Sequence, residues 1–107
     1  MAAAKIVVLY PRPKNVEAFE RVYAEEHVPL VPKLPGITKF VQTKVLGTAT
    51  GEPAPFQRIA ELHFPSLDVL KKAASSKAGQ DAVAHAVKIS TGGPPVLMIS
   101  EETTTTF

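Results

Sequence analysis

Hydrophobic residues first gather in a block, with Ile6, Val7, Val8 and Leu9 running between Lys5 and Tyr10 before Pro11-Arg12-Pro13. A β-branched and aromatic run closed by prolines predicts a strand ending in a turn. From Asn15 the period changes: Val16, Phe19, Tyr23 and Leu30 recur at helical spacing, and Asn15 stands where a cap belongs. Ile37 to Leu46 alternates as a strand does, GTATGEPAP from Gly47 to Pro55 is a turn-rich loop, and Phe56 to Phe64 alternates again. These two strands form a hairpin with a long loop. Ser66 caps a second helical region that turns Leu67, Leu70 and Ala74 inward, breaks near Ser75-Ser76 and Gly79, and resumes from Gln80 to Ile89. Val96 to Ser100 is the last strand, and the tail EETTTTF has no periodicity and is a frayed end or a strand extension.

The predicted order is β-α-β-β-α-β, the α+β pattern of a ferredoxin-like fold: a four-stranded antiparallel sheet with two broken helices on one face. At 107 residues the chain makes one domain, 1–107. Helices on one face leave the other to water, yet Ile6-Val7-Val8-Leu9 and Val96-Leu97-Met98-Ile99 are apolar on both faces. So large an apolar face needs cover, which predicts a homodimer packed sheet to sheet. In the third strand Phe56, Ala60, Leu62 and Phe64 fall on one side and Gln57, Ile59, Glu61 and His63 on the other, so His63 is expected at the interface.

Charge adds little: a net +2 from scattered residues carries no basic stripe for nucleic acid and no acidic tail. The chain has no cysteine, which removes disulfides and thiolate chemistry, and the run after MAAAK is too short for a signal peptide or a membrane span, so a cytoplasmic location is the default expectation. Proline changes the picture. There are ten, and three of them, at 29, 32 and 35, follow directly behind His27 in YAEEHVPLVPKLPGI. Pro29 disfavours helical geometry at Val28, so the helix is expected to kink or stop there.

Counted at 100° per residue, Phe19, Tyr23 and His27 share one inward face. A break beside an inward imidazole frees carbonyls and opens space between helix and sheet, which are the makings of a pocket. Tyr10 at the end of the first strand and Tyr23 one turn before His27 reach the same region. His27 then has three readings: a helix-terminal residue bonding the last carbonyls, a general acid or base contacting a ligand, and a metal or haem ligand. No partner for it stands at a metal-ligand spacing, so no metal is expected, and a haemin titration read at the Soret band decides the haem case. Phe19, Leu30 and His85 complete the expected pocket. No P-loop, GxGxxG, GxSxG or RNA-binding motif is present.

The segments VLYPRP, FERVYAEEHVPLVPKLPGI, ELHFPSLDVL, SSKAGQDAVAHAV and TGGPPVLMISE resemble the EthD-like proteins of the dimeric α+β barrel superfamily. The Tyr23-x-x-x-His27-x-Pro29-Leu30 segment followed by Leu34-Pro35-Gly36 is its most specific part. The resemblance implies a ferredoxin-like subunit, a homodimer whose two sheets form a barrel, and a cavity between helices and sheet. Superfamily relatives include cofactor-independent monooxygenases, lactone isomerases, polyketide cyclases and haem-degrading enzymes. It thus implies a small apolar or aromatic ligand, with His27 as acid or base in an enzyme, or a non-catalytic accessory protein of a catabolic oxygenase pathway. One position departs from the family: His85 stands where an aspartate is expected in the second helix, and Asp81 compensates only if it faces the same way.

Overall fold

A computed structural model describes residues 3–107. The elements are β1 (Ala3–Pro11), α1 (Val16–Val22), a π turn (Tyr23–His27), a 3-10 segment (Val28–Lys33), β2 (Lys39–Lys44), β3 (Phe56–Phe64), α2 (Leu67–Ser75), α3 (Lys77–Ile89) and β4 (Val96–Glu102). All strand pairs are antiparallel, in the sheet order β2-β3-β1-β4. This is the ferredoxin-like arrangement. Asn15 Oδ1 accepts from the Ala18 amide and Ser66 Oγ from that of Val69, as their capping positions require. The tail extends β4 through Glu102. No helix among the described residues is long and apolar enough to cross a membrane.

Two helical expectations are corrected. The second helical region breaks only at Ser76, which ends α2 and caps α3, its Oγ accepting from Gly79 N. Ser75, Lys77, Ala78 and Gly79, expected in the break, are therefore helical. Gly79 stays without a side chain because a Cβ there would run into the carbonyl oxygens of Ala73 and Ala74. The helix carrying His27 does not stop at Val28, which keeps helical angles (φ −52°, ψ −42°). Instead Val28 donates to Tyr23 O, five residues back, and the chain then tightens into the 3-10 segment. The proline ring crowds the carbonyl four residues behind it and offers no N–H, so widening the turn before Pro29 accommodates it without ending the helix.

One face of the sheet packs on the helices. Ala4, Val8 and Tyr10 of β1, with Ala60, Leu62 and Phe64 of β3, meet Phe19, Tyr23, Val31, Leu34, Leu70, Ala73, Ala82, Ala86 and Ile89 in one core. The other face is mixed. Val7, Leu9, Ile59 and Met98 share it with Lys5, Glu61 and His63, by strand alternation. There Lys5 Nζ donates to Glu61 Oε1 at 2.8 Å and lies 3.6 Å from Glu102, beside a buried His63 whose Nε2 is 3.4 Å from Glu61 Oε1 without hydrogen-bond geometry. On β4, Val96, Leu97, Met98 and Ile99 are each at least 40% exposed, so this edge strand is bare on both sides.

Candidate functional site

The β1 ladder ends in a register shift between Tyr10 and Pro11, because proline cannot continue the amide donation. Tyr10, fully buried, is thereby the last regular residue of the strand and points at the helices. Its Oη lies 3.1 Å from Nε2 of His27, itself only 5% exposed. The π turn keeps the aromatic residues in file: Phe19 stacks on Tyr23 at 5.7 Å and Tyr23 on His27 at 5.8 Å. Tyr10 stands edge-on to all three rings. From α3, His85 completes the file, its ring 5.1 Å from that of His27 and within 8° of parallel. The two Nδ1 atoms are 2.9 Å apart. Two bare lone pairs would repel at that distance, so one hydrogen sits between them.

Burial, reinforced by the neighbouring His85, pushes the His27 pKa down to about 4. At neutral pH the ring is uncharged, with each nitrogen already matched to a partner. Burial likewise pushes the Tyr10 hydroxyl up, keeping it a phenol, and raises Tyr23 to about 12. Beneath the file, Arg58 on β3 makes a two-pronged ion pair with Glu20 at 2.9 and 2.7 Å and places its guanidinium 5.3 Å from the Tyr23 ring centre. Tyr23 Oη itself is buried without a hydrogen-bond partner.

Two spaces meet at this file. An inner cavity of about 40 Å3 lies between the sheet and α3; of its lining residues only Tyr10 and His27 have polar side chains. The half-exposed Val83 and Leu97 form its outer rim, between α3 and β4. An outer groove of about 460 Å3 runs between α1 and α3, with Phe19, Val22 and Ile89 on its floor, Lys14 and Lys88 at its sides, and His85 and Glu26 in its wall. His85 Nε2 is 3.9 Å from Glu26 Oε1.

The expected pocket residues therefore divide. Tyr10, His27 and His85 come together by hydrogen bonds, Tyr23 backs the imidazole, and Phe19 lies in the outer groove. Leu30 is half-buried and is not among the residues lining the inner cavity; Val31 and Leu34 are. A uniform 100° step from Val16 puts Leu30, Val31 and Leu34 all within about 60° of the inward face, so the helical period did not separate them and packing did. Asp81 is exposed and pairs with Lys77 at 3.4 Å, so it does not take the place of the expected aspartate. Glu26 escaped the sequence reading because it precedes His27 on an outward position. Among the described residues, no group of three or more histidines or acids is placed to hold a metal ion.

The EthD domain family pattern matches residues 12–89. A Rhodococcus erythropolis chain described as an uncharacterized 11.0 kDa protein in the thcB-thcC intergenic region is 31% identical over 99 residues, 92% of this chain and 95% of its own length. The crystal structure of an EthD family protein from Bacillus halodurans superposes with TM-score 0.88 at 30% identity, covering 96% of this chain and all of the other. A dimeric ferredoxin-like protein of unknown function from Jannaschia sp. shares the fold at 17% identity, with TM-score 0.67 over 95% of this chain and 100% of its own. By pattern, sequence and superposition together, this chain belongs to the EthD domain family.

Proposed function

We propose that the chain is an acid–base catalyst that needs no cofactor and acts on a small, mostly apolar compound bearing one polar atom, such as a carbonyl or hydroxyl oxygen. The observation that carries this reading is the neutral His27 held in an apolar cavity with its Nε2 on the Tyr10 hydroxyl. A neutral imidazole can take a proton near pH 7, and a phenol beside it can donate to oxygen as negative charge develops there. The apolar walls would admit the carbon skeleton and exclude water, which strengthens both interactions. A second reading, a binding protein without turnover, draws support from how little of the cavity is open, about 40 Å3.

The test is a panel of small lactones, quinols and aromatic carbonyl compounds, screened for thermal stabilisation and then for conversion by the protein and by His27→Gln. Conversion that falls by 100-fold or more in the variant, the scale of general acid–base catalysis, supports the reading. Binding without conversion by either protein overturns it and leaves the accessory role.

The working unit in this reading is a homodimer that covers the face bearing Val7, Leu9, Ile59 and Met98. Met98→Asp puts a charge on the apolar β4 edge of that face. Light scattering at micromolar concentration is expected to show a two-chain mass for the parent and a one-chain mass for this variant; a one-chain parent would end the proposal.

A further inference from the structure

We propose that His85 is the proton exit of the site, passing hydrogen between the buried His27 and the outer groove. This rests on the acid–base reading, since a base with no outlet completes no more than half a cycle.

The inner cavity offers no outlet, because beyond Tyr10 and His27 it presents only apolar side chains. His27 cannot store the proton as imidazolium either, since burial disfavours its charged form. Its Nδ1, however, faces Nδ1 of His85 at 2.9 Å, with the rings parallel. The far edge of His85 belongs to another space: Nε2 faces Glu26 at 3.9 Å in the wall of the outer groove. One imidazole thus touches the buried base on one edge and solvent chemistry on the other. Glu26, largely exposed, is the carboxylate at that outlet, and Lys14 and Lys88 are the other charged groups lining it.

The transfer balances without a charged intermediate on either ring. A proton leaving the bound compound joins His27 Nε2 while the Tyr10 hydroxyl turns to donate to the compound's oxygen. The His27 Nδ1 hydrogen moves to His85 Nδ1, and the His85 Nε2 hydrogen leaves for Glu26 or groove water. One proton enters and one departs; each imidazole has changed tautomer, and the reverse order returns a proton to the compound. Glu26 is an acceptor at the outlet here and His85 the relay.

The experiment uses the whole protein with 15N-labelled histidine and D2O as the probe. Nitrogen–nitrogen coupling across the hydrogen bond is expected between the two Nδ1 atoms. Exchange of the His27 ring N–H is expected to slow at least tenfold in His85→Phe, which keeps a stacked ring, and in His85→Gln, whose amide bonds Nδ1 but passes no proton. A merely structural His85 predicts the opposite, because loosened packing speeds exchange. Absence of the coupling, or exchange as fast as the parent's in a folded variant, overturns the relay. Slowed exchange in a protein that converts nothing defeats the acid–base reading while leaving the proton path in place; conversion with unchanged exchange does the reverse.

Discussion

Between pH 6.5 and pH 4 the folded chain is expected to lose up to about 3 kcal/mol of stability through His27 alone. The sign follows from the direction of the shift. The folded-state pKa, about 4, lies below the ordinary 6.5, so within this window the unfolded chain binds a proton that the folded chain refuses. Stability is therefore fully present above the ordinary value, declines as the pH falls, and levels off once both states are protonated. The cause is burial first and the second imidazole next, and removing the titration removes the slope: His27→Gln is expected to be flat where the parent falls. The carboxylates of Glu20 and Glu61 are held low by hydrogen bonds from Arg58 and Lys5, and their contribution fades only below about 4.5, beneath most of this window. Urea midpoints at pH 7, 5.5 and 4.5 for the two proteins decide the matter. Parallel declines would show that His27 accepts a proton readily in the folded chain and that the file of rings is not closed to water.

Tyr10→Phe is expected to cost about 1–3 kcal/mol and, if the site turns over a substrate, to lower conversion by about 100-fold or more. The substitution keeps the ring and its edge-on contacts but strips the one hydroxyl that Nε2 of His27 has as a partner. A buried nitrogen without a partner carries its full desolvation penalty. Tyr23→Phe makes the sharper comparison. That hydroxyl is buried with no partner at all, so deleting it is expected to be neutral or mildly stabilising. Two tyrosines in contact, both buried and both on the same imidazole, should thus answer the same one-atom change with opposite signs. Thermal unfolding of the pair checks the stability half, and equal losses in both would contradict the hydrogen-bond assignment.

Much of the fold was legible in the chain because strands and caps are local. β3 runs from Phe56 to Phe64 as the alternation required, and Asn15 and Ser66 cap the helices that begin beside them. What misled was the single helical period. Pro29 was a sound signal of irregularity at His27, but a proline only forbids one hydrogen bond; whether the chain stops, kinks or widens depends on what packs behind it. Here Phe19, Tyr23 and His27 stack on one another with Tyr10 edge-on to them, and keeping that stack favours a wide turn that holds the rings in file. The helical period also left Leu30, Val31 and Leu34 on one face, and only packing put the latter two in the core.

From its residues alone this chain determined the order and type of its elements, the family it resembles, and His27 as the inward histidine behind which the helix geometry must change. Tertiary structure alone decided the rest. His85 and His27 are 58 positions apart, and no periodicity reaches across that distance; α3 must dock on the π turn before two Nδ1 atoms stand 2.9 Å from each other. The uncharged state of His27 has the same origin, since desolvation belongs to a packed environment and to no residue type by itself.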